Sequence, residues 1–163
     1  MKKPITKETA LSRLATLCGR SEQCEFDITR KLINWDLPTG DRKEIINYLI
    51  ENKYIDNARY AKSFANDKAR FSSWGPYKIR AELVKRKIGS ADIKNALEQV
   101  DQDIWKEGLM RSANTKAKNL QLIGEEGRED CQKLFRYLVG RGFPSSSASK
   151  AVVLMKMWQE GNK

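Results

Sequence analysis

Ile28-Thr29-Arg30-Lys31-Leu32-Ile33-Asn34-Trp35-Asp36-Leu37, followed by Ile45, Ile46 and Leu49, sets an apolar pattern that the chain writes three times. A shift of 51 carries Ile28, Leu32, Ile33 and Leu37 onto Ile79, Leu83, Val84 and Ile88. The same shift takes Ile45, Ile46 and Leu49 to Ala96, Leu97 and Val100. A further 55 gives Leu134, Leu138, Val139 and Phe143, then Ala151, Val152 and Met155. All seven positions are apolar in every copy. Spacings of three and four residues belong to helices with one buried stripe, and alternating Val-Ile-Thr runs are missing. The pattern predicts an all-α tandem array of three three-helix repeats, elongated and curved, at residues 1–57, 58–100 and 101–163. Each unit is too small to bury a comfortable core alone, so neighbour packing is expected to stabilise it.

Working outward, Leu11, Leu14, Leu17 and Cys18 predict a first helix over 6–19. Ser21 is the expected cap of the second, with Ile28, Leu32 and Ile33 inward. Thr39 or Asp41 caps a third helix carrying Ile45, Ile46, Leu49 and Ile50. Asp56 opens a fourth with a stripe of Tyr60, Ala61, Phe64 and Ala65. Trp74-Gly75-Pro76 breaks the chain, and Pro76 suits the first position of a fifth helix running to about Lys87, with Ile79 and Leu83 inward. Ser90 caps a short sixth helix. The seventh is expected over 102–121, the eighth over 128–140, and Ser145 to Ser147 begins the last.

Composition narrows the function. The 163 residues are 40% hydrophobic and 32% charged, a globular balance. The longest apolar run, Ala151 to Met155, is far short of a membrane span. The first residues lack the apolar core of a secretion signal, so a cytoplasmic monomer is expected. Cys18, Cys24 and Cys131 form no Cys-x-x-Cys pair and read as small buried hydrophobes. The sequence has no histidine, which removes the commonest general base and metal ligand. Ser147-Ala148-Ser149-Lys150 matches Ser-x-x-Lys but lacks its companion motifs, so a serine-rich helix start explains it better. Gly140-Arg141-Gly142 follows a helix and reads as a helix end with a turn. Asp101 and Asp103 read as caps rather than a calcium loop. No catalytic residues, metal site or cofactor are expected.

Charge is concentrated. Net charge is +10, divided as +1 over residues 1–57, +6 over 58–100 and +3 over 101–163. Lys68, Arg70, Lys78, Arg80, Lys85, Arg86 and Lys87 crowd around the Trp74-Gly75-Pro76 break. A helical wheel places Lys78 and Lys85 together, away from the core, with Arg80, Arg86 and Lys87 flanking it. Such groups suit phosphates or a carboxylate-rich protein surface. The third helices lack base-reading Arg, Asn or Gln, so sequence-specific DNA reading is not expected.

Tyr54-Ile55-Asp56-Asn57-Ala58-Arg59-Tyr60-Ala61-Lys62-Ser63-Phe64, with Trp74-Gly75-Pro76-Tyr77-Lys78-Ile79-Arg80-Ala81-Glu82-Leu83, resembles the signature of the RecX regulatory family. Ser21-Glu22 and Ile28-x-x-Lys31-Leu32 also fit. Two departures stand out: Tyr60 replaces the usual phenylalanine, and Arg86-Lys87 replaces the common Lys-Gly before Ile88. The resemblance marks Tyr60, Phe64, Trp74, Gly75, Pro76, Ile79 and Leu83 as the structural motif. It implies a modulator that binds the filament of RecA recombinase on single-stranded DNA and depresses its growth, strand-exchange, ATPase and coprotease activities. Duplex DNA is a further expected partner. On that reading the patch of Arg59, Lys68, Arg70, Lys78, Arg80, Lys85, Arg86 and Lys87 supplies the encounter, and loss of Lys78, Lys85 and Arg86 flattens its salt dependence. The alternative is a sequence-independent DNA-binding array with no filament partner.

Overall fold

Residues 5–162 are described by the structure, a computed structural model, and every regular element among them is a helix. In order these are α1 (Lys7–Arg20), α2 (Glu25–Asn34), α3 (Thr39–Glu51), α4 (Asn57–Ser72) and α5 (Pro76–Lys85). They are followed by α6 (Ser90–Glu98), α7 (Gln102–Ala117), α8 (Gly127–Gly140) and α9 (Ser145–Gly161). The helices pack in threes around three apolar clusters. Leu14, Ile28, Leu32, Ile45 and Leu49 centre the first, with Ile55 closing it. Ala61, Ala65, Ile79, Leu83 and Ile93 centre the second. Ala113, Leu134, Leu138, Ala148 and Met155 centre the third. Burying one such leucine contributes about 1.5–3 kcal/mol.

The repeat extends from sequence to backbone. Leu37, Ile88 and Phe143 each donate their N–H to the carbonyl five residues back, on Leu32, Leu83 and Leu138, at 3.3, 3.1 and 3.3 Å. Asp36, Lys87 and Gly142, one residue before, all hold positive φ, at 56°, 57° and 94°. This is the Schellman ending, in which a left-handed residue lets the chain leave the helix with its last carbonyls satisfied. It recurs at the equivalent place in all three copies. The common glycine of the family pattern at position 87 has its physical reason here, because a left-handed residue with a Cβ costs about 1–2 kcal/mol.

Several expectations are corrected. Ile33 points outward rather than in, 48% exposed, as do its equivalents Val84 (58%) and Val139 (40%). Ile50 is also exposed. Ser21 ends α1, its N–H donating to Leu17 O, and Cys24 precedes α2 without a side-chain cap bond. Pro38 and Gly89, rather than Thr39 or Ser90, occupy the positions before α3 and α6. α5 stops at Lys85 because Lys87 is already left-handed. α7 stops at Ala117, short of the expected 121. Side chains capture the backbone beyond it: Asp130 accepts Gln121 N–H at 2.8 Å, and Gln159 accepts Leu122 N–H at 2.9 Å. These bonds replace helical ones and fold Leu122 into the third core. Hydrogen bonds from Gln121 and Lys133 hold the Asp130 carboxyl below its ordinary pKa.

The triplets share residues. Cys24 belongs to the second core, fully buried, and Phe26, Ile104 and Trp105 pack on the same cluster from the flanking triplets. Burial pushes the Cys24 thiol up to about 11. All three cysteines are free. The chain exposes 10541 Å², against about 8,300 Å² for a compact monomer of this mass, so the array is elongated. No helix among the described residues is long and apolar enough to cross a membrane.

Candidate partner-binding surface

The surface is built on α4, the turn after it, and α5. Asp56 caps α4, its carboxylate accepting Arg59 N–H at 2.9 Å. Ser73, left-handed at φ 50°, ends the helix, and Trp74-Gly75 carries the chain to Pro76 at the start of α5. This turn brings Trp74 against Phe64, ring centroids 6.3 Å apart and edge-on. Tyr60 stacks on Phe64 with centroids 5.8 Å apart. Burial pushes the Tyr60 hydroxyl up to about 12, so it stays neutral. The motif residues Tyr60, Phe64, Trp74, Ile79 and Leu83 thus share one cluster.

Cations decorate this aromatic row. Lys78 Nζ lies 4.4 Å and Lys68 Nζ 5.0 Å from the centroid of the same Trp74 ring. Lys68 is also 5.6 Å from Phe64, on which the Arg86 guanidinium sits at 5.2 Å. Lys87 and Arg30 flank Phe26 at 5.8 and 5.9 Å. Cations and rings therefore alternate across the junction of the first two triplets. Each such contact is worth about 0.5–1 kcal/mol on a surface and holds the ammonium in place. Neither Lys68 nor Lys78 has an ion-pair partner among the described residues. Lys85 stands on the same flank of α5 but pairs with Glu82 at 2.7 Å.

The eight cations singled out by sequence separate into distinct environments. Arg59 is tied inward: Nε donates to Glu22 at 2.6 Å and Nη2 to the Lys53 carbonyl at 3.1 Å. Arg86 bridges triplets, with Nη1 donating to Glu82 Oε2 at 3.0 Å and Nε 3.4 Å from Asp27 Oδ2. Burial works against its charge, but the hydrogen bond to Glu82 and the nearby Asp27 carboxylate hold its pKa above the ordinary value. Hydrogen bonds from Lys85 and then Arg86 hold Glu82 below its own. Arg70 and Arg80 are exposed. Arg80 falls on the other flank of α5 from Lys78 and Lys85, because two and five helical steps of 100° separate them.

Sequence reasoning missed the contacts that fix one triplet to the next. Arg141 donates to the carbonyls of Ser72 and Ser73, and Arg111 donates to the Arg70 carbonyl at 2.9 Å. Two arginines of the third triplet thereby satisfy the open C-terminal carbonyls of α4. Gly75 N–H donates to Arg141 O at 2.7 Å and Tyr77 N–H to Gly142 O at 3.0 Å. Arg86 and Arg141 are repeat equivalents, each following its middle helix and each reaching back to the preceding triplet. Trp35 holds that place in the first triplet. The 55-residue offset between Arg86 and Arg141 was the available signal.

Known proteins share this chain's sequence and fold. A family model described as "RecX, second three-helix domain" matches residues 56–97, the segment carrying the aromatic row. The chain is 32% identical over 144 residues to "Regulatory protein RecX" of Pseudomonas savastanoi pv. phaseolicola, covering 86% of this chain and 90% of that one. It is 26% identical to the protein of that name from Vibrio parahaemolyticus, over 90% and 89% of the two chains. A crystal structure of regulatory protein RecX superposes with a TM-score of 0.74 at 29% identity, covering 86% of this chain and 68% of that one. RecX from Lactobacillus salivarius shares the fold, with a TM-score of 0.75 at 20% identity over 93% and 97% of the chains. With the signature residues gathered in one cluster and relatives matched over most of their length, the chain belongs to the RecX regulatory protein family.

Proposed function

We propose that the chain binds the filament of RecA recombinase on single-stranded DNA, opposing its extension and depressing its recombinase, ATPase and coprotease activities. It acts by binding rather than by catalysis, as a cytoplasmic monomer whose units divide at 1–57, 58–100 and 101–163. The observation that carries the reading is the cation–aromatic row, in which Lys68 and Lys78 share one indole with no acid to neutralise them. Two positive charges held close without a counter-charge are an electrostatic cost that a phosphate backbone removes. An elongated array with fixed junctions presents that row along an extended partner, which suits a filament. Duplex DNA offers the same phosphates and is a weaker competitor.

A lysine triple variant tests the row. The sequence alone suggested neutralising Lys78, Lys85 and Arg86, but Arg86 is engaged inside the array, so Lys68 takes its place. Replacing Lys68, Lys78 and Lys85 with Gln is expected to reduce the slope of log affinity against log salt by about 2, since each single-strand phosphate contact contributes about 0.7. Binding to filaments on oligothymidylate, followed across a salt series, gives the slope. A slope equal to that of the wild type contradicts the assignment.

A further inference from the structure

Beyond the lysine row, the opposite flank of α5 opens onto a groove of about 640 Å³ between the second and third triplets. Leu97, Trp105, Leu109 and Phe143 supply an apolar floor, and Tyr77 and Arg80 of α5 stand at its edge. Tyr77 is 60% exposed. Its hydroxyl makes no hydrogen bond and Arg80 makes no ion pair among the described residues. The walls are held in register by the Gly75–Arg141 and Tyr77–Gly142 backbone bonds and by the two arginine clamps, so the groove exists before any partner arrives. Preformed apolar grooves with one unpaired polar anchor are the usual form of a recognition site.

Its chemistry differs from that of the lysine row. The other rim cations already have acids: Lys94 lies 3.9 Å from Glu98 and Lys106 3.1 Å from Asp103. Glu98 itself lines the groove and is offset by Lys94, so it adds no net charge there. Arg80 alone is left for a partner, and its planar fork suits a carboxylate held beside the apolar floor. One unpaired cation beside an apolar floor complements an apolar side chain with a single carboxylate better than a polyanionic strand of successive phosphates. A filament presents both kinds of surface, protein and DNA, and α5 carries one matching face for each.

We infer, on the reading of the chain as a filament regulator, that this groove docks a recombinase segment presenting an apolar side chain next to an acidic one. Tyr77 and the Trp105 floor take the apolar group, Arg80 takes the carboxylate, and Lys68 and Lys78 on the far flank are left to the DNA. The cations thus sort by partner: the lysine row reads nucleic acid and the arginine of the groove reads protein.

The test uses the full chain carrying Tyr77→Ser and Arg80→Ser, both exposed positions, with unfolding curves confirming an unchanged fold. Each protein is titrated against fluorescein-labelled oligothymidylate alone and against filaments of the cognate recombinase on that oligonucleotide. The expected result is at least a tenfold loss of filament affinity with less than a twofold change on the naked oligonucleotide. Equal losses on both make the groove a nucleic-acid site and overturn the assignment, as does unchanged filament binding. A wild-type chain that binds the oligonucleotide but not the filament removes the filament reading itself, and the groove assignment with it. The charge-reversed Arg80→Glu gives a second check, because an acidic partner is repelled whereas a purely apolar one is indifferent.

Discussion

Replacing Gly75 with alanine is expected to destabilise the protein by about 2–6 kcal/mol and to separate the second triplet from the third. The cause is crowding, since Gly75 has an ordinary φ of −80°. A Cβ there would lie 2.3 Å from the Gly142 carbonyl carbon and oxygen and 2.4 Å from Phe143 N. All three atoms are backbone and cannot swing away as a side-chain tip would. Overpacking costs about 1–3 kcal/mol, and parting the segments breaks two backbone hydrogen bonds worth about 0.5–1.5 kcal/mol each. Gly40→Ala is the control, because its Cβ meets nothing within 4 Å. That change, inside α3, is expected to stabilise by about 0.5–1 kcal/mol. Urea unfolding curves of the two variants measure both effects, and a stable Gly75→Ala protein with an intact junction contradicts the close approach.

The second large effect is at Arg86. Its removal leaves Glu82 and Asp27 facing each other across the first junction without the cation between them. Hydrogen bonds to charged groups contribute about 1.5–3 kcal/mol, and the contact with Phe64 adds about 0.5–1. Partial exposure screens the pair, so a loss of about 2–3 kcal/mol is expected for Arg86→Ala. Arg86→Lys should recover little of it, because one ammonium cannot bridge the two carboxylates as the guanidinium fork does. The neighbouring Lys85→Ala should cost about 0.5 kcal/mol or less, as exposed pairs do. Arg86→Ala should also leave the salt slope for filaments on oligothymidylate unchanged, in contrast to the lysine triple variant. Unfolding curves and a salt series separate the two roles; a reduced slope for Arg86→Ala would place its charge on DNA after all.

These two sites show where the sequence is legible and where it is not. Ile28, Leu32 and Leu37 and their equivalents announce the repeat because helical periodicity is a local property. Ile33, Val84 and Val139 obey the same apolar pattern and still face solvent, since a wheel marks neighbours of the buried stripe without showing where the next helix ends. Asp36, Lys87 and Gly142 share one left-handed conformation but no chemistry, so only the backbone reveals their equivalence. A wheel puts Lys78 and Lys85 on one flank of α5, whereas the Trp74 ring beneath Lys78 depends on the path of the turn. An internal ion pair is credible for Arg59 from the sequence, but its partner Glu22, like the distant partners of Arg86, Arg111 and Arg141, was beyond local reasoning for one reason. Apart from Glu82, one turn before Arg86, these partners lie across triplet junctions, at sequence separations up to 69 residues. Charge counted along the chain therefore overstated the free surface of the middle unit, and the junctions account for the difference.

The regulator reading is tested most directly by the DNA-dependent ATPase of the cognate RecA, titrated with the wild-type chain at about 50 mM and about 200 mM salt. The account predicts inhibition at substoichiometric protein, with more protein required at the higher salt. Unchanged ATPase at saturating protein, alongside tight binding to naked single-stranded DNA, would contradict it and leave a DNA-binding array without a filament partner.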